Sequence, residues 1–291
     1  MQDKKQGPEE YCIINMEGKM HGYYSYDAEQ LTRNGKIRTV CMDSSEQVFR
    51  AMAREMADEI IARNKAGRKT VFILPVGPVG QYPFFVEMVN SERINLKDCW
   101  FFNMDEYLTD EKTWMDKECF LSFRGFMERN VYSRIDADLV NPASQRFFPD
   151  PSNPSLITEK LEELGGADVC FGGIGINGHV AFNEPQAELS PSEFAGLTTR
   201  VIRISDETKT ANAIGDLGGA IEDMPRYAVT IGMKEILSAR KIRLGVFRTW
   251  HRAVVRRAAC GEITSEFPVT LIQNHPDAVI YVNDVAAERA V

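Results

Sequence analysis

A mostly parallel β-sheet covered by helices on both faces is the fold class that the sequence predicts, on three observations. The chain has 291 residues, 44% of them hydrophobic and 26% charged, enough for one large α/β domain or two small ones. Short apolar runs rich in β-branched and aromatic residues recur at 70–74 (TVFIL), 100–103 (WFFN), 169–173 (VCFGG), 227–231 (YAVTI), 242–247 (IRLGVF) and 278–282 (AVIYV), and each reads as a strand. Helical patterns lie between them. Strands alternating with helices give parallel pairing, and in such sheets ligands bind at the carboxyl ends of the strands.

In chain order, residues 1–37 read as an appendage packing on a main domain of residues 38–291. Gly18, Gly22 and the YYSY cluster fall inside it, and its aromatic residues call for a surface to pack on, in the same chain or a neighbouring one. The clearest helix is 45–65, where Val48, Met52, Met56, Ile60 and Ile61 recur at three-to-four-residue spacing behind the S-x-x-Q start of Ser44 and Gln47. Residues 142–154 carry four prolines and read as a long surface connection. No run approaches the roughly 20 apolar residues of a membrane helix, and the N-terminus lacks the apolar stretch of a secretory signal, so a cytoplasmic protein is expected. The six cysteines form no C-x-x-C pair, which argues against a zinc site or a disulfide framework. A net charge of −8 opposes a nucleic-acid partner, and an anionic small ligand would need a locally basic pocket.

Residues 172–185 read GGIGINGHVAFNEP, in which Gly173, Gly175 and Gly178 spell G-x-G-x-x-G. A dinucleotide loop needs a helix opening at its third glycine and an acid about 20 residues on. Here Pro185 interrupts such a helix, and the later positions hold Thr198, Thr199 and Arg200. What remains is a glycine turn followed by Asn177, His179 and Glu184, a catalytic composition. A lone histidine is often a satisfied core residue, but a carboxylate close by can orient an imidazole as a general acid near neutral pH. Asp105 and Glu106 follow the 100–103 strand and suit a pocket, the competing reading being a helix N-cap with a first-turn acid. The turn at 74–82 (LPVGPVGQY) lies where a phosphate cradle belongs, yet it lacks hydroxyls and Pro78 removes an N–H. One histidine and two carboxylates, without a cysteine or lysine nucleophile, suit proton transfer on a sugar.

These residues resemble the glucosamine-6-phosphate deaminase/isomerase family, through FNMDEY at 102–107, the 172–185 segment, TRV at 199–201, PRYAVTIGM at 225–233 and NHPDA at 274–278. The resemblance implies a three-layer α/β/α sandwich of modified Rossmann-like type and a reaction on an amino sugar 6-phosphate without metal or cofactor. His179 would act as acid at the ring oxygen, oriented by Glu184 with Asn177 beside it. Asp105 would carry a proton from C2 to C1, and ammonia would leave. Substrate contacts would fall at Gly77, Val79, Gly80, Glu106, Gly173, Gly175 and Arg200. The chain departs from the family pattern at the aspartate now Asn177, at the phosphate loop now LPVGPVG, at the arginine now Ile214 and at the lysine now His251. Either the phosphate is held differently, with Arg248, His251 and Arg252 as the basic candidates, or the substrate has none. The bland reading of RTWHRAVVRR is a solvated helix face. The alternatives are a catalytically impaired sugar-binding or regulatory homologue and, disfavoured by the AFNEP and FNMDEY segments, a sugar-phosphate lactonase. Homo-oligomerisation is left open.

Overall fold

The computed structural model describes residues 20–291. Residues 1–19, which hold half of the N-terminal appendage, lie outside the described residues. The strands are β1 Arg38–Met42, β2 Thr70–Leu74, β3 Cys99–Asn103, β4 Asp105–Leu108, β5 Arg146–Phe147, β6 Val169–Gly172, β7 Arg200–Arg203, β8 Tyr227–Thr230, β9 Lys241–Val246 and β10 Ala278–Asn283. The helices are α1 Ala28–Asn34, α2 Ser45–Lys65, α3 Gln81–Ser91, α4 Phe123–Asn130, α5 Ser155–Leu164, α6 Pro191–Ala195, α7 Asp206–Asp216, α8 Met233–Leu237, α9 His251–Cys260 and α10 Asp284–Ala287.

Seven strands form the main sheet in the order β1-β10-β9-β6-β2-β3-β5, and every pairing in it is parallel. Alternation along the central strands divides the core. In β2, Val71 and Ile73 face one layer while Phe72 and Leu74 face the other, and Phe101 and Phe171 join Phe72 on that second side. Both faces are buried, as the continuous apolar runs require. Helix α2 starts where the sequence places it, with the Ser44 hydroxyl accepting the Gln47 N–H, and it buries Val48, Met52, Met56 and Ile60 on the sheet. This is a three-layer α/β/α sandwich.

Two features depart from the sequence reading. A second, antiparallel sheet orders β4-β8-β7, so the 227–231 run leaves the parallel sheet and pairs with the segment carrying Asp105 and Glu106. The proline-rich connection at 142–154 contains β5, a two-residue edge strand paired to β3. The described part of the N-terminal segment meets α9: the Lys36 N–H donates to the Ala259 carbonyl at 2.7 Å, and the fully buried Arg256 donates to the Tyr26 carbonyl at 2.8 Å.

Candidate active site

A pocket of about 560 Å³ opens at the carboxyl ends of β2, β3, β6 and β9. The loops after those strands contribute Gly77, Pro78, Val79 and Gly80, then Asp105, then Gly173, Gly175 and His179, then Phe247, Arg248 and His251. Helix α7 adds Ala211, Asn212 and Asp216.

The glycine turn after β6 is shaped around His179. Its ring lies so close to Gly175 that a Cβ there would sit 1.9 Å from the ring carbon Cε1, and Gly178 adopts φ +82°, a left-handed conformation natural to glycine. No helix follows the third glycine, because the next one, α6, begins at Pro191. Ala181, between His179 and Glu184, also takes a left-handed φ of 55°. Such strain persists only where surrounding contacts fix it.

His179 Nδ1 lies 2.7 Å from Asn177 Oδ1 and 3.2 Å from the Thr208 hydroxyl. The Asn177 amide donates through Nδ2 to Glu184 Oε2 at 2.7 Å and to the Ser205 hydroxyl at 3.2 Å. A carboxylate only accepts, so Glu184 fixes which way the amide points, and the amide oxygen then selects the Nδ1–H tautomer of His179. Nε2 is left with its lone pair. Glu184 therefore acts on His179 through Asn177 and Thr208, its own Oε2 being 3.8 Å from Nδ1, and neither Asn177 nor Glu184 lines the pocket. Burial pushes the imidazole below its ordinary pKa, and the Glu184 charge opposes this in part. His179 is thus held with Nδ1 committed to Asn177 and Thr208 and with Nε2 without a protein partner, and its pKa moves down where the neighbouring carboxylate alone would raise it.

Asp105 and Glu106 point to opposite sides of β4. Asp105 lines the pocket at 7% exposure, and burial, with the Glu106 charge added, raises its pKa well above the carboxylate range. Glu106 is fully buried away from the pocket. It accepts from the Ser122 hydroxyl at 3.0 Å and from the backbone N–H groups of Phe123 and Arg124, each at 2.9 Å, and pairs with the Arg124 guanidinium at 3.2 Å. Glu106 is no substrate ligand. It holds the N-terminus of α4, so the helix-cap reading applies to this carboxylate but on a helix distant in sequence.

Arg200 also stands apart from the pocket wall, donating to Asn183 Oδ1 at 2.9 Å and to the Thr198 carbonyl at 3.3 Å. His251 lines the pocket but has no free nitrogen. Nδ1 accepts the N–H groups of Phe247 and Arg248 at 3.1 and 2.8 Å, and Nε2 donates to the Ile174 carbonyl at 3.0 Å. Burial, with the Arg248 charge adding to it, holds its pKa down to about 3, so it is neutral and not a basic phosphate ligand. Arg252 pairs with Glu288 and bonds the Val285 carbonyl, away from the pocket. Nor is α9 a solvated face, since it buries His251, Val254, Val255, Arg256, Ala258 and Ala259. Among the named basic candidates, Arg248 alone is exposed on the pocket wall. Thr208, Tyr107, Phe182, Phe49 and Trp250 were not read from the sequence as site residues. Asn212, which bonds the Tyr107 hydroxyl at 2.9 Å on the wall, was missed as well.

Among the described residues no helix is long and apolar enough to cross a membrane, and no group of three or more His, Cys, Asp or Glu side chains is placed to hold a metal ion. No protein-family model matches the chain. A curated glucosamine-6-phosphate deaminase of Clostridium perfringens is 29% identical over 260 residues, covering 87% of this chain and 99% of the relative. One of Mycoplasma mycoides subsp. mycoides is 28% identical over 256 residues, covering 87% and 97%. The solved structure of a monomeric glucosamine-6-phosphate deaminase of the NagB superfamily superposes with a TM-score of 0.73 at 25% identity, covering 86% of this chain and 98% of that one. Along most of its length the chain is similar to glucosamine-6-phosphate deaminases. A 6-phosphogluconolactonase from Trypanosoma brucei, at 15% identity and a TM-score of 0.61, shares the fold.

Proposed function

We propose that this chain is an amino sugar deaminase/isomerase in which His179 opens the sugar ring and Asp105 moves the proton between C2 and C1. The observation that carries the reading is the placement of two uncommitted proton acceptors on one pocket, the Nε2 lone pair of His179 and the Asp105 carboxyl. His179 takes the proton from the C1 hydroxyl and returns it to the ring oxygen, breaking the C1–O5 bond and leaving an open-chain aldehyde. Asp105 removes the C2 proton while the C1 oxygen takes one from the neighbouring ammonium, giving an enolamine, and Asp105 then delivers the C2 proton to C1. The amine-bearing carbon becomes an imine, water adds to it, and ammonia departs from a ketose. The raised pKa of Asp105 suits the work, because a base of higher pKa is a stronger acceptor while it stays ionised.

The impaired-homologue alternative rests on Asn177 together with the lost phosphate ligands, and the first of these grounds is met here. The amide supports the active reading instead, since it bridges Glu184 to His179 as one hydrogen-bonded chain. Ammonia release and deuterium uptake from heavy water test the proposal, with glucosamine and its 6-phosphate as substrates. Turnover by the wild type that is lost in Asp105→Asn is the expected result. Ammonia release unaffected by that substitution, or hydrolysis of a sugar lactone without hydrogen exchange, would replace the reading.

A further inference from the structure

With C1 and C2 of a hexose at His179 and Asp105, its C6 end faces the rest of the pocket. A phosphate there would need cations or unoccupied backbone N–H groups; of the two places that offer N–H groups, one is filled and the other is crowded by an aromatic ring. The N-terminus of α3 is capped by Gly80, and the Phe49 ring packs against that glycine on the side where a Cβ would stand. The loop after β9 presents the N–H groups of Phe247 and Arg248, and both donate to the neutral His251. The imidazole occupies the place an anion would take. Phe49 meets Phe247 edge to face with ring centroids 4.9 Å apart, and Trp250 lies 3.8 Å from His251, so these groups form one aromatic surface. Val79 completes it, on the loop where Pro78 has no N–H. Arg248 shares this wall with Asp216, whose pKa burial raises and the Arg248 charge lowers in part.

We infer that the substrate's C6 end carries an uncharged, apolar substituent in place of a phosphate, received by Phe49, Val79, Phe247 and Trp250. This rests on the amino-sugar reading for the ring itself, while the order of binding tests the far end separately.

The test is calorimetric binding to the full chain of three probes, glucosamine, glucosamine 6-phosphate and glucosamine bearing a short alkyl ether on its 6-oxygen, with ammonia release measured in parallel. The ether is expected to bind roughly ten-fold tighter than glucosamine, by the apolar area it buries, and the phosphate ester weaker than both. Tightest binding of the phosphate ester overturns the inference, and ammonia release from that ester lost in Asp105→Asn then leaves the proposed function standing. The expected order without ammonia from any probe supports the inference and removes the proposed function. Binding of none overturns the inference. Trp250→Ala should abolish the advantage of the ether. Val79→Lys, at a partly exposed position that tolerates a charge, should shift preference toward the phosphate ester by about ten-fold. An unchanged order in both variants also overturns the inference.

Discussion

Two histidines line the same pocket and use their nitrogens differently. On the loop after β6, His179 gives one nitrogen to Asn177 and Thr208 and keeps Nε2 for the substrate. On the loop after β9, His251 spends both nitrogens on backbone groups. Burial lowers the pKa of each. The difference teaches that pocket placement and neutrality do not make an imidazole a catalyst; a nitrogen left without a protein partner does. The same contrast separates Asp105, which meets the pocket, from Glu106, which spends its oxygens on α4.

The sharpest way to break the contrast is at the carboxylates. Asp105→Asn should lower kcat by about a hundred- to ten-thousand-fold in steady-state assays, the usual weight of a general base. A loss under ten-fold would remove Asp105 from the proton path. Glu106→Ala should take the carboxylate from the Arg124 guanidinium and from four other donors in the interior, the Ser122 hydroxyl and the N–H groups of Tyr107, Phe123 and Arg124, costing about 3–5 kcal/mol in urea unfolding. A stable variant with a raised KM would instead return Glu106 to the substrate. His251→Ala should orphan the Phe247 and Arg248 N–H groups and cost on the order of 2 kcal/mol of stability. A raised KM for a phosphate ester at unchanged stability would make it a phosphate ligand.

Asn177→Asp is expected to have the smallest effect, within about ten-fold in kcat/KM near neutral pH. It faces Glu184 at the 2.7 Å of the present hydrogen bond, so one of the two carboxyls must hold a proton. A carboxylate at Nδ1 raises the pKa of His179. The neutral base is then lost earlier as pH falls, and the acid limb of the pH profile moves upward. In the wild type that limb is expected from Asp105, whose pKa burial raises above the ordinary carboxylate range. A wild-type limb within that ordinary range would contradict the raised pKa of Asp105.

Much of this was legible because local patterns carried it. The apolar runs marked β2 and β9, the spacing of Val48, Met52, Met56 and Ile60 marked α2, and the strand-end rule put Asp105 and His179 at one pocket. The partners that decide what each group does are distant in sequence. Glu106 meets Ser122, Phe123 and Arg124, 16 to 18 residues on, and β4 pairs with β8 across more than a hundred positions. No period in the sequence records such pairings. Thr208 escaped because its hydroxyl acts only once α7 packs behind His179. His251 was misread because its partners are backbone groups, which carry no side-chain signature.

The most direct test of the contrast is nitrogen NMR of the imidazoles in the full chain, with the four histidines assigned by single substitution to Gln. The account predicts that near neutral pH His179 is the neutral Nδ1–H tautomer and His251 the neutral Nε2–H tautomer, both holding that form below the ordinary histidine pKa of about 6.5. The same tautomer at both positions, or a charged His251 near neutral pH, would contradict it.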